Sequence, residues 1–371
     1  MKKLISLIIC LIISGCIKTN EPIDKPIDKG PSTPALLYST SLDLIMVGDA
    51  VVHSNIYKDA YNNGTYEFSQ MMDQIKPIIE PYDLAFYNQE TIIGGDSLGF
   101  SNYPLFNTPK AFGNDMIDMG FNLIALANNH AMDKGTKAIL SSNAYWATKD
   151  VVVSGTYSTL AQRSNIPIYN KNNISYAFLA YTYGTNGINP PKDKAFMIGQ
   201  VDIDAMTQDI QQVRDKVDVV IVSMHVGTEY QTNENAFQRS IAEALAKAGA
   251  DIIIGHHPHV IEPIEWIGDT LVLYSLGNFI SGQYGTLQLI GLMAAVTITK
   301  SVYQNGVIIK LSDLKADLCY THYNGHMRDV EVYPFDRLSN SILPDYQGWA
   351  NRLEKVLNTY NAKLKLGNIR K

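Results

Sequence analysis

The sequence predicts an α/β fold with a β-rich C-terminal part, and three observations carry this. Between residues 42 and 275, short apolar runs alternate with stretches of helical period. Several of these runs are apolar at successive positions, as expected of strands buried on both faces beneath helices. From residue 288 to 333 the helical pattern gives way to β-prone segments, with Asn305-Gly306 as a hairpin turn.

In chain order, the first predicted strand is 42–47, running into Gly48-Asp49. Residues 71–79 have helical spacing, ended by Pro81. Residues 84–87 form a short buried strand, 110–119 a helix and 121–127 an apolar strand. A helix over 136–149 precedes strands at 151–153 and 175–181. Residues 201–213 are helical, 217–224 a nearly continuous apolar strand, and 235–247 a helix stopped by Gly249. Strands at 251–254 and 270–274 follow, and 346–364 reads as a closing amphipathic helix. No repeat of solenoid length occurs.

The 371 residues are 46% hydrophobic and 18% charged, enough for a large core. The net charge of −6 argues against broad nucleic-acid binding and against loose adhesion to anionic lipid. Three cysteines occur, two of them in the first 16 residues. Cys319 is therefore alone in the body, and an internal disulfide is excluded there.

The N-terminus reads MKKLISLIICLIISGC. Lys2 and Lys3 precede an apolar run, Leu4 to Ile13, too short to span ~30 Å of hydrocarbon comfortably. It fits a signal-peptide core. Ile13-Ser14-Gly15-Cys16 resembles the bacterial lipobox, in which cleavage leaves Cys16 as a lipid-bearing N-terminus. Residues 17–38 carry Pro22, Pro26, Pro31 and Pro34 and read as a solvated tether. The expected organisation is a lipoprotein signal peptide (1–15), a lipidated cysteine and tether (16–38), one α/β domain (39–335) and a C-terminal helical extension (336–371). The expected location is the cell membrane, lipid-anchored, on the extracellular or periplasmic side.

Five predicted strands end in polar clusters, and in open α/β sheets the ligand site lies beyond the carboxyl ends of the strands. Asp49, after Gly48, can ligate a cation or cap a helix. Glu90, in Asn88-Gln89-Glu90, can bridge two cations or serve a turn. Asn129 and His130 are metal or oxyanion partners, and Asp133 stands where it can orient the His130 imidazole. His225 ends an apolar strand, with Glu229 four residues on; a satisfied core histidine is the alternative. Gly255-His256-His257-Pro258-His259 holds three of the chain's eight histidines. In extended backbone His257 and His259 point one way and His256 the other, and two imidazoles on one side suit zinc or a transition metal. Tyr274-Ser275-Leu276-Gly277-Asn278-Phe279 either lines the same cleft or is a plain turn.

Taken together, Gly48-Asp49, Asn88-x-Glu90, Asn128-Asn129-His130-x-x-Asp133-x-Gly135, His225-x-Gly227-x-Glu229-Tyr230, Gly249-Ala250-Asp251 with Gly255-His256-His257-Pro258-His259, and Tyr274 to Phe279 resemble the CapA family of poly-γ-glutamate capsule biosynthesis over about residues 42–282. That family is similar in fold to calcineurin-like metallophosphoesterases. The resemblance implies a layered β-sandwich flanked by helices and two divalent metal ions, Mn, Fe or Zn. It implies Asp49 and His259 on one metal, Asn129, His225 and His257 on the other, and Glu90 between them. His130, steadied by Asp133, would donate a proton or stabilise the leaving oxygen. The phosphoesterase pattern wants Asp-x-His, whereas here the histidine is His53, four residues after Asp49. His53, His256 and Glu229 are accordingly secondary ligand candidates. The implied function is a cell-surface role in capsule polymer biosynthesis or export, with hydrolysis of a phosphoester or related bond. The alternative is a non-catalytic component that binds or anchors the polymer beside the capsule machinery.

Overall fold

The first strand outgrows its apolar run. In the computed structural model, which describes residues 34–369, it spans Leu36–Val51. The signal peptide, Cys16 and most of the tether lie outside the described residues. The extension follows from an antiparallel partner, Ile290–Tyr303, which pairs with it from Leu36 to Met46. Ile290–Tyr303 in turn pairs with Gly306–His322 across a turn at Gln304-Asn305, one residue earlier than expected. Gly306 thus closes the turn instead of occupying its centre.

On its other side the first strand is parallel to Leu84–Asn88, followed by Leu123–Ala125 and Val152–Ser154. With Asn278–Ser281 and Glu331–Pro334, these strands form an eight-stranded mixed sheet. A second sheet has a parallel centre of Ile174–Thr182, Val219–His225, Ile252–His256 and Thr270–Leu273, with antiparallel strands Tyr169–Lys171 and Ile264–Ile267 at its edges.

Alternation sets the layers, because successive side chains leave a strand on opposite faces. Leu42, Leu44 and Met46 face inward, where they share a core with Phe178, Ile221 and Ile254 of the second sheet. Ile45 and Val47 face outward onto Phe112, Met116 and Trp146 of helices Lys110–Asp118 and Gly135–Trp146. Val220, Val222 and Ile253 of the second sheet meet Met206 and Ile210 of helix Ile203–Arg214, and Ile241 and Leu245 of helix Ala236–Ala248. The result is the predicted α/β architecture: two facing sheets with helices on both outer sides.

Two helices differ from their sequence reading. Residues 71–79 do not form one helix; a 3-10 turn at Ser69–Met72 and a short helix at Lys76–Ile79 replace it. Pro77 explains the break, since proline is tolerated only in a first turn. The last helix ends at Leu357 and does not reach residue 364. Asn358 stops it, its Nδ2 donating to the Glu354 and Leu364 carbonyls and its Oδ1 accepting from the Leu364 N–H. Leu353 and Leu357 of this helix join the inter-sheet core. Among the described residues no helix is long and apolar enough to cross a membrane.

Candidate metal centre

The carboxyl ends of the parallel strands of both sheets deliver side chains to one place. Gly48 and Gly255 make this closure possible. A Cβ on Gly48 would lie 1.9 Å from the Gly277 carbonyl oxygen, and one on Gly255 would lie 1.9 Å from that of Tyr274. The segment Tyr274–Gly277 therefore passes against the ends of both central strands and carries Asn278 to the cluster.

Asp49 is fully buried. Its Oδ1 accepts from Asn88 Nδ2 at 2.7 Å and its Oδ2 from the His257 N–H at 3.3 Å. His259 Nδ1 stands 3.5 Å from Asp49 Oδ2. Glu90 Oε1 lies between two imidazoles, 3.6 Å from His259 Nε2 and 3.8 Å from His225 Nε2. His225 Nε2 is 3.1 Å from Asn129 Oδ1, and its ring centre is 4.9 Å from that of His257. Single donor atoms of Asp49, Glu90 and His225 lie within 4.8 Å of one another, as do those of Glu229, His257 and His259. All six residues expected to hold metal, together with Glu229, thus share one cluster.

The histidine run reaches this cluster differently from the extended-chain expectation. The strand ends at His256, and His257 and His259 adopt φ of 99° and 58°. Both lie in the left-handed region that non-glycine residues rarely occupy, a conformation that surrounding structure must impose. His256 stays in the core, stacked on Phe86 at 5.3 Å, with Nδ1 3.2 Å from Asp49 Oδ1 but outside hydrogen-bond geometry.

The electrostatics of the cluster suit a divalent cation. Burial pushes Glu90 well above the usual carboxylate range, with His259 opposing. Burial alone would raise Asp49, but His256 and His259 outweigh it and hold that carboxylate well below its ordinary value. Burial would lower His259, yet Glu90 and Asp49 overcome it and raise the imidazole to about 10. Burial, then neighbouring histidines, depress His225, and they take His257 down to about 4. Both Glu90 oxygens are buried without any hydrogen-bond partner. Orphaned carboxylate oxygens facing imidazole nitrogens are costly alone and become a ligand set once a divalent ion sits among them.

A cleft of about 540 Å³ opens onto the cluster, bounded by His53, Phe106, His130, Tyr230 and His259 among others. His130 Nδ1 is 2.8 Å from Asp133 Oδ2, which also accepts from the Phe106 N–H at 2.7 Å. The contact forms in a turn, since the following helix starts only at Gly135. His53 lines the cleft wall, with Nδ1 3.0 Å from the Val51 carbonyl oxygen and its ring edge-on to Phe106. It stands outside both ligand groups.

Three residues beyond the expected set take part. Asn278 Oδ1 is 2.9 Å from His259 Nδ1 and aims that ring's Nε2 at Glu90; such partners fix the tautomer of a ligating histidine. Asn88 bridges Asp49 and, at 3.2 Å, His225 Nδ1. Tyr183 packs its ring 4.7 Å from that of His257. Asn88 and Asn278 lie inside motifs visible in the sequence; Tyr183 carries no comparable signal.

Glu262, three residues after His259, is a buried carboxyl. Its Oε2 accepts from Gln238 Nε2 at 2.6 Å, and Oε1 has no partner. Burial, only partly offset by Gln238, pushes its pKa up to about 8. A carboxyl raised on folding favours the fold below its unfolded value, ~4.3, and loses that contribution as pH rises toward 8. Glu262→Gln mimics the protonated form. Thermal denaturation should show the variant matching wild type near pH 5 and exceeding it at pH 8.5, by an amount on the order of 2–4 kcal/mol. An increment equal at both pH values would show that Glu262 does not titrate in this range.

Known proteins resemble this sequence. The sequence pattern of the family described as "Bacterial capsule synthesis protein PGA_cap" matches residues 43–283, well over half of the chain. The PGA biosynthesis protein CapA of Bacillus subtilis (strain 168) is 35% identical over 167 residues, 45% of this chain and 44% of that protein. The capsule biosynthesis protein CapA of Bacillus anthracis is 31% identical over 171 residues, 45% of this chain and 41% of that protein. An uncharacterized protein of Sinorhizobium fredii is 22% identical over 312 residues, 64% of this chain and 65% of its own length. The matched segments span less than half the length of the two Bacillus relatives. Every ligand candidate described above falls inside the matched residues 43–283, and on that match the chain belongs to the bacterial capsule synthesis protein family.

Proposed function

We propose that this chain is a metal-dependent hydrolase, or a transferase of the same chemistry, that acts on a phosphoester or related bond during capsule polymer biosynthesis. It would work at the cell surface, held by a lipid on Cys16 beside the polymer-making machinery. The observation that carries the chemical reading is Glu90. Its carboxylate is wholly buried, both oxygens lack partners, and Oε1 stands between His225 and His259.

In this reading Asp49 and His259 would hold one divalent ion and Asn129, His225 and His257 a second, with Glu90 placed between the two sets. Such a pair would supply an activated water and a clamp on the developing charge. Asn88 and Asn278 fix the carboxylate and imidazole that face the ions. His130 has its Nδ1–H committed to Asp133, which leaves Nε2 to serve the cleft. From there it holds or gives a proton at the leaving oxygen. Glu229, exposed at the cleft, is close enough to His257 and His259 to complete a coordination sphere.

The test is metal content together with hydrolysis of bis(p-nitrophenyl) phosphate by the full chain loaded with Mn or Zn. Bound metal with turnover supports the reading. Bound metal without turnover, coupled to retention of capsule polymer, moves the protein to the non-catalytic binding role. Asp133→Asn separates positioning from ligation. The Asn oxygen would take the place of Asp133 Oδ2 and still accept from the Phe106 N–H and His130 Nδ1–H, but without the negative charge that pairs with a protonated imidazole. We expect kcat to fall roughly 10²–10⁴-fold with an altered pH–rate profile, while metal content stays at the wild-type level. Loss of metal in that variant would show that Asp133 supports the ligands instead.

A further inference from the structure

The cleft over the metal centre has a lining whose chemistry limits what can lie in it. The walls bring three tyrosines, Tyr103, Tyr230 and Tyr284, and three amides, Asn102, Gln283 and Gln288. Tyr103 is 68% and Tyr284 75% exposed, so both present open ring faces to solvent. The amides are oriented from behind. Asn102 Oδ1 accepts from the Ser54 N–H at 2.9 Å, and Gln283 Oε1 accepts from Asn278 Nδ2 at 2.9 Å. The oxygens of Asn102 and Gln283 are therefore engaged and their NH₂ groups are left as uncharged donors, whereas the Gln288 NH₂ faces the Tyr284 and Gly285 carbonyls. The only ionisable acids on the wall are Glu90 and Glu229, and none of the described lining residues is lysine or arginine.

We infer, building on the metal-site reading above, that the cleft takes an uncharged, hydroxyl-rich chain, a glycan or polyol, which presents one anionic group to the metal cluster. A polyanion such as polyglutamate carries a charge on every unit. Along this wall those charges would meet tyrosine rings and neutral amides, with no lysine or arginine among the described lining residues to offset their desolvation. A sugar or polyol unit meets the same wall well. Its C–H face stacks on a tyrosine ring, and its hydroxyls accept from the Asn102 and Gln283 NH₂ groups. The single anionic group matches a site where positive charge is confined to the ions among Asp49, Glu90 and the histidines. The inference narrows the substrate from any capsule polymer to a neutral chain joined or ended by a phosphoester-like group.

The experiment is an array of neutral capsule-type oligosaccharides, their phosphate-bearing forms, glycerol phosphate oligomers and γ-linked hexaglutamate, probed with the full chain before and after Mn loading. We expect retention on the hydroxyl-rich chains, strongest for the phosphate-bearing forms with Mn bound. Binding should change little when NaCl rises from about 0.05 to 0.5 M, which screens ionic contacts. Tyr103→Ala and Tyr284→Ala, substitutions at exposed rings, should each weaken it about three- to tenfold, with unchanged melting temperature and Mn content. Preference for hexaglutamate, a binding signal that collapses with salt, or an Mn-loaded protein that binds nothing on the array would each overturn the inference. Those results leave the metal centre standing. Failure to load Mn while the neutral chain is still retained overturns the metal reading alone.

Discussion

Gly255→Ala, and Gly48→Ala beside it, should destabilise the protein by about 3 kcal/mol or more each, the upper range for forcing atoms into a filled site. Neither position needs glycine for its dihedral angles; the demand is spatial. The added methyl would begin 1.9 Å from a carbonyl oxygen of the Tyr274–Gly277 segment, and that contact is with backbone on both sides. A side chain could rotate away, but here a strand end or the crossing segment must move by more than an ångström. The movement reaches the metal cluster directly, because Asp49 follows Gly48, His256 follows Gly255, and Asn278 follows Gly277. The expected result is a melting temperature lowered by roughly 4 °C or more, taking ~0.7 kcal/mol per kelvin for a unit of this size, together with loss of bound metal. Gly325→Ala, with nothing within 4 Å of its new methyl and no left-handed backbone, is the matched control. If Gly255→Ala melts like that control, the crossing segment yields easily and the close-approach account fails.

This pair also shows where the sequence was readable. Apolar runs at 84–87 and 217–224 had no use for solvent on either face, and they became central parallel strands. Polar residues at the ends of such runs could be read as one site before any coordinates, since topology sends parallel strand ends to the same edge. Conformation was harder. His257 and His259 look like an alternating extended pair in sequence, yet each takes a left-handed backbone that only the assembled site imposes. Pro77 lies inside the segment whose spacing predicts one helix ended by Pro81, and it is Pro77 that restarts the helix at Lys76. Asn358 stops the last helix through contacts made to residue 364, which local periodicity does not contain. Val51 occupies the place where the phosphoesterase pattern has a histidine, and His53, two residues on, sits against the cleft wall. The departure was visible in the spacing; its outcome depended on Phe106 and Gly282, both distant in sequence.

Glu90→Gln should lower metal affinity more than about 100-fold, because even partners behind the ligands are worth 10–100-fold and Glu90 faces the ions themselves. The pH dependence of the wild type makes the same point without a mutation. In the metal-free protein, Glu90 and His259 face each other at 3.6 Å and titrate as a pair: burial holds Glu90 toward its protonated form, while Glu90, whenever it is ionised, and Asp49 raise His259. A group whose pKa rises on folding stabilises the fold below its unfolded value and loses that contribution as pH climbs through the folded one. Both groups therefore make the metal-free fold less stable as pH rises from about 4.3 for Glu90, and from about 6.5 toward 10 for His259. A divalent ion must displace those same protons, so its affinity rises with pH, by up to about tenfold per unit for each proton released. The two trends are opposite in sign. The melting temperature of chelated protein should drift down between pH 7 and 8.5, above the range in which the depressed His225 and His257 imidazoles give the opposite slope, while the increment from added Mn or Zn grows over the same interval. At an ion concentration about 100 times the dissociation constant, the increment is ~2.7 kcal/mol, or roughly 4 °C. Glu90→Gln should flatten much of the chelated drift and remove most of the increment. A metal increment independent of pH would mean that the ions bind without displacing a proton from Glu90 or His259, and the ligand assignment would fall with it.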